Sequence, residues 1–192
     1  MASFCHIAVG LVTAKHCRPY APVFSKQYGR AVFWMSVLSM LPDADVITFG
    51  MGIPYEAPLG HRGAAHSFVF AFFAGGVFAP ILRQYFRLTL RRAYTLAFIA
   101  IASHGLLDTL TDGGFGVGLL WPFSHERFFA PWRPIPVSPI GRAFLSARGL
   151  QVFATELLYC VPLLIYAFWP RKRVSAALLQ RSKPRKADKV DI

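Results

Sequence analysis

Acidic residues are scarce. The 192-residue chain carries nine Asp and Glu against 21 Lys and Arg, so its formal net charge is +12. Charged residues of both signs make up only 16% of it, too few for the surface of an ordinary soluble domain. Cysteine is nearly absent: Cys5, Cys17 and Cys160 form an odd set without paired spacing. That argues against a disulfide framework and a CxxC metal site, and leaves the three as small buried apolar side chains. No basic stretch precedes the first apolar run, so no cleavable signal peptide is expected and Met1 to Ala14 should remain. An internal repeat is also missing, as is any break in composition before Pro170.

What is abundant is apolar surface. Hydrophobic residues reach 55%, aromatics 15%, and the mean hydropathy is +0.43, which points to the membrane. A helix needs about 20 apolar residues to cross a bilayer. Ser67 to about Phe86, Ala93 to Leu110 and Leu150 to Trp169 meet that length, while Phe4 to Ala14 and Ala31 to Leu41 are shorter and should pack on the others without crossing fully. The expected fold is all-α: an integral membrane bundle of about five helices with a long outer loop, spanning residues 1–170. A basic tail, residues 171–192, should follow it and be disordered.

Orientation follows from the cations. Lys15, Arg18, Lys26 and Arg30 lie between the first two helices, and Arg83, Arg87, Arg91 and Arg92 between the third and fourth. Arg171, Lys172, Arg173, Arg181, Lys183, Arg185, Lys186 and Lys189 follow the last. By the positive-inside rule these sixteen face the cytoplasm, and the connections Pro42 to Arg62 and Thr111 to Gly149 face outward. The positive tail directly after a spanning helix reads as a topological anchor on anionic membrane lipid, and no nucleic-acid-binding signature accompanies it. Trp121, Phe123, Phe128, Phe129 and Trp132 in the outer loop read first as an interfacial belt and second as a lid over a substrate.

Groups able to hold a metal gather in four stretches: His6 in SFCHIA, Asp43 and Asp45 in LPDAD, His61 and His66 in GHRGAAHS, and His104 with Asp108 in SHGLLD. With antiparallel helices, all four fall at the outward end. His104 and Asp108 are four apart, so they share one helix face and can reach a common ion. Pro42 should end the preceding helix and leave Asp43 and Asp45 at a turn. Imidazoles mixed with carboxylates suit zinc, manganese or iron; an all-oxygen set would suit magnesium or calcium. Ionisable side chains at a membrane face become tolerable when they coordinate a cation and one another. His125 and Glu126 in the outer loop, and Glu156 inside the last helix, are further donors, whereas His16 belongs with the solvated basic loop.

The early His6, LPDAD, HRGAAHS, SHGLLDTLTDGG and WPFS, in that order from about Ser3 to Ser124, resemble the YdjM-like family of inner-membrane metal-dependent hydrolases. That family is in turn similar to zinc-dependent phospholipase C and related single-strand nucleases. The matching elements are His6, Asp43, His66, His104 and Asp108. Past Asp108 this chain offers only His125, Glu126 and Glu156, so the resemblance implies one or two ions rather than a three-zinc cluster.

The expectation is a hydrolase in the inner membrane with its site at the periplasmic face, acting on a phosphoester, lipid-linked or not. His6, Asp43, His66, His104 and Asp108 would bind the cation, zinc foremost. Asp45 or Glu156 would orient or deprotonate water, and His61 with Arg62 would stabilise charge on phosphate. The alternative is a non-enzymatic membrane protein whose metal is structural or regulatory and whose basic tail acts as an adaptor.

Overall fold

A computed structural model describes residues 3–17, 25–139, 143 and 145–169. The basic tail, residues 171–192, lies outside the described residues. The described chain is helical, as expected: α1 (Ser3–Cys17), α2 (Lys26–Met40), a 3-10 turn (Leu41–Val46), the four-residue α3 (Ile47–Gly50), a 3-10 turn (Ala64–His66), α4 (Phe68–Phe86), α5 (Leu90–Asp108) and α6 (Ala147–Phe168). Among the described residues no strand forms; two isolated bridges, Thr111 with Ile135 and Val117 with Phe128, pin the loop between α5 and α6.

Each long helix after α1 begins on a hydroxyl side chain. Ser25, Ser67, Thr89 and Ser146 accept the backbone N–H of Tyr28, Phe70, Arg92 and Gly149, satisfying donors that a helix start leaves unpaired. The start of α1 is capped from a distance: Glu156 Oε2, in α6, accepts the Phe4 N–H at 2.7 Å.

Three segments are long and apolar enough to cross a membrane: Lys26–Gly50, Phe68–Phe86 and Ala147–Phe168. One helix expected to be too short to cross and one expected span therefore need correction. The run Ala31 to Leu41 does not stop at Pro42. Leu41 stays right-handed and Pro42 enters the 3-10 turn at its start, where the missing N–H costs nothing, so helical backbone continues for 25 residues. Conversely α5, expected to span as Ala93 to Leu110, is not among the three. It carries Arg91, Arg92, His104 and Asp108, and it can afford them because it is the inner helix, packed against α4, α1 and α2.

Small residues let α5 sit there. Ala93, Ala97 and Ala100 are wholly buried along it, and Gly105 runs so close to the carbonyl of His66 that any Cβ would collide. Gly10 serves α1 in the same way against the backbone of Ser36 in α2. The apolar core holds Met35, Leu38, Ala71, Leu82, Phe86 and Ile101. Outside, Phe72, Phe73, Val77, Leu158 and Ile165 are exposed on helix faces, an apolar girdle that water would penalise and acyl chains would not.

α6 packs on α1. Cys5 and Cys160 form a disulfide between them, with Cα atoms 5.7 Å apart. The expectation of three unpaired cysteines is thus overturned, since α1 and α6 pack side by side; Cys17 stays outside the disulfide and is buried. At the far end of α1, Lys15 Nζ donates to the carbonyls of Tyr166 and Trp169.

Candidate metal centre

His6 comes from the second turn of α1, and Asp43 and Asp45 from the 3-10 turn after α2. His66 closes the 3-10 turn before α4, and His104 and Asp108 end α5. All six side chains are buried at one end of the bundle. Gly105 makes this convergence feasible: without a side chain there, α5 slides against the His66 backbone, placing His66 between the two acidic segments.

The distances sort these contacts into two kinds. Asp43 Oδ1 lies 3.3 Å from His104 Nε2 and 3.6 Å from His66 Nε2; Asp108 Oδ2 lies 3.5 Å from His66 Nε2 and 3.9 Å from His104 Nε2. His6 Nε2 is 3.3 Å from Asp108 Oδ1. These separations exceed good hydrogen bonds. They match two donors sharing an ion: at about 2.0 to 2.1 Å from zinc and a tetrahedral angle, two ligand atoms stand about 3.4 Å apart. One donor atom each from Asp43, His66, His104 and Asp108 lies within 4.8 Å of all the others. His6 Nε2, His66 Nε2, His104 Nε2 and both oxygens of Asp43 and Asp108 are buried without a hydrogen-bond partner, a costly arrangement that a shared cation would relieve.

Contacts behind this cluster are short. His104 Nδ1 lies 2.7 Å from the carbonyl of Ser39, which can only accept, so the proton sits on Nδ1 and Nε2 is left facing the carboxylates. Asp45 takes His61 Nδ1 at 2.6 Å on one oxygen, and the Arg62 N–H and His66 Nδ1, both at 3.1 Å, on the other. Although Asp45, His61 and His66 also lie close enough together to hold an ion, hydrogen-bond lengths mark them as a supporting layer. The His6 and His104 rings stack with centroids 3.6 Å apart.

Burial opposes a charge on His66, but the carboxylates of Asp108, Asp43 and Asp45 outweigh it and raise its pKa to about 10 when no cation is bound. Tyr55, whose ring stands edge-on to His61 at 5.2 Å, has its phenol pushed up by burial.

Arg62 is fully buried at φ +61°, a left-handed conformation uncommon for any residue but glycine. Its Nε meets Asp108 Oδ2 at 3.0 Å, and its Nη1 donates to Thr111 Oγ1 and the Gly113 carbonyl. It braces a carboxylate of the cluster. Glu156 also stays out of the donor cluster, capping α1 instead. His125 and Glu126 are exposed in the outer loop and belong to neither group.

Two contributors carried no sequence signal of their own. Ser39 acts through a backbone carbonyl, which any residue possesses. Arg127 donates to the carbonyls of His61, Gly116, Tyr55 and Ala57, stitching the outer loop over the site.

Comparison with known proteins gives two matches. The sequence model of the YdjM inner membrane protein family matches residues 1–179. Inner membrane protein YbcI of Escherichia coli (strain K12) is 44% identical over 148 residues, 75% of this chain and 86% of that protein. No solved structure matches.

Proposed function

This chain belongs to the YdjM inner membrane protein family, and on that premise we propose that it is a membrane-embedded metal-dependent hydrolase acting on a phosphoester. The observation that carries this reading is the set of imidazole and carboxylate atoms facing one another, buried, at co-ligand rather than hydrogen-bond separations. His6, Asp43, His66, His104 and Asp108 would hold the cation, zinc foremost, with manganese and iron suited to the same donors. A divalent ion there would supply Lewis acidity toward a phosphoryl oxygen and acidify a bound water toward neutral pH.

The remaining residues have positioning roles. Asp45 orients His66 and, with it, His61; the Ser39 carbonyl orients His104; Arg62 fixes Asp108 and offsets part of the negative charge. The Arg62 Nε and Nη1 face Asp108, Thr111 and Gly113, while its buried Nη2 has no hydrogen-bond partner among the described residues and keeps donors for charge on a phosphate. Glu156 acts on the site only by anchoring the turn that precedes His6.

The site would face the periplasm. Supporting this is the Cys5–Cys160 disulfide, which joins the bundle at the residue next to His6, since such bonds persist on the oxidising side of the inner membrane. The excess of Lys and Arg at the opposite end agrees.

A second reading has its own observation. All five donors are buried, and a closed shell without an open position is the mark of a structural or regulatory ion. One experiment separates the two: the detergent-purified chain is assayed for bound metal and against a panel of phosphodiesters and lipid phosphates. The hydrolase reading expects metal and turnover to vanish together in His104→Ala and Asp108→Ala. Metal without turnover across the panel favours the structural ion. A His104→Ala protein still fully loaded removes the site.

A further inference from the structure

The opposite end of the bundle holds a groove of about 490 Å³ between α1 and α5. His16, on its rim, lies ten residues after His6, about 15 Å farther along α1, and Arg91 and Arg92 open the helix that His104 and Asp108 close. The groove is therefore separate from the candidate metal centre. Its floor is apolar, formed by Val12, Leu96 and Ile99, and at its mouth stand His16 and the two cations Arg91 and Arg92. We propose that it binds one anionic phospholipid from the adjoining leaflet, with the headgroup phosphate at Arg91 and Arg92 and an acyl chain along the floor.

Charge and shape together select this occupant. An apolar trough that opens between helices of a membrane protein is reached by acyl chains, and two guanidiniums at its mouth supply the fork-shaped donors that suit phosphate. Arg92 Nη2 donates to the carbonyl of His16 at 2.8 Å, which ties the mouth of the groove across α1 and α5 and leaves further N–H donors on the same guanidinium. Arg91 is exposed, and its guanidinium makes no hydrogen bond or ion pair with another described residue. The chain's own tail is a poor competitor, because residues 171–192 carry eight Lys and Arg of the same sign as the mouth.

The test uses the full chain in detergent, with phosphatidylglycerol and phosphatidylcholine of identical acyl chains and with glycerol 3-phosphate as probes, read by native mass spectrometry. One phosphatidylglycerol should be retained per protein at concentrations where phosphatidylcholine is not. At about 1 kcal/mol per cation near the headgroup, R91Q and R92Q together should weaken retention roughly thirtyfold. Ile99→Trp, which fills the floor and leaves both charges, should weaken it as well; its exposed position makes it safe for folding, and thermal unfolding checks both variants. Equal retention of phosphatidylcholine overturns the proposal. So does undiminished binding in the variants with loss on deleting residues 171–192, which would place the lipid on the tail. Competition by glycerol 3-phosphate as effective as the lipid's would mark a free-phosphate site instead. Should R91Q/R92Q fail to fold, undiminished binding in Ile99→Trp decides against it.

Discussion

Replacing Asp45 by Asn alters one atom in the layer behind the donor cluster. The Arg62 N–H can only donate, so the Asn carbonyl must take the place of Oδ2, which also faces His66 Nδ1, and the new amide group falls opposite His61 Nδ1. His66 Nδ1 then lies beside a neutral oxygen instead of a carboxylate. Hydrogen bonds to charged groups are worth about 1 to 1.5 kcal/mol more than neutral ones, so the contacts that Asp45 makes with His61 and the Arg62 N–H behind the donor cluster weaken by about that much. The expected result is a roughly tenfold weaker zinc affinity, at the lower end of what loss of a supporting carboxylate costs a metal site. Competition against a fluorescent zinc chelator, with the parent and His104→Ala as brackets, measures it. Unchanged affinity in Asp45→Asn would refute the supporting role. A loss as complete as that of His104→Ala would refute it in the other direction, by making Asp45 a ligand.

Three further outcomes are expected. With its pKa raised to about 10 in the metal-free protein, His66 must give up a proton to a cation, so zinc affinity should climb with pH up to that value. The same shift sets metal-free stability: the folded pKa lies above the ordinary 6.5, so the stabilisation is complete below pH 6.5 and fades toward pH 10. Thermal unfolding of chelator-treated protein should therefore fall over that window, and a flat profile would count against a charged His66. Gly105→Ala should cost about 1 to 3 kcal/mol by driving a Cβ into the His66 carbonyl, whereas Gly76→Ala, with open space around it, should be neutral or slightly stabilising; equal melting temperatures would contradict the close approach. Peptide mapping of protein alkylated in the cell before lysis should recover Cys5 joined to Cys160. Finding both thiols free would undercut a periplasmic site.

Much of the site was legible because its chemistry obeys local periodicity. His104 and Asp108 share a face by helix geometry alone, and LPDAD announces carboxylates at the end of an apolar run. What was not legible depended on long-range contacts. Pro42 reads as a stop, yet a 3-10 turn accepts it at its start and the backbone continues. Cys5 and Cys160 are 155 residues apart, and no spacing rule reaches that far. Arg62, beside two histidines, reads as a free cation for an anionic substrate; only the fold shows that it is buried, with Nε against Asp108 and Nη1 on Thr111.

The clasp between Glu156, Cys160 and the first turn of α1 bears on how the molecule is made. A ribosome delivers His6 at the outset and the segment that fastens it about 150 residues later. Until the sixth helix enters the bilayer, the opening helix has no partner for its amino end. A premature stop before residue 147 would therefore retain every donor of the cluster and still leave the turn that carries His6 without its cap and its disulfide.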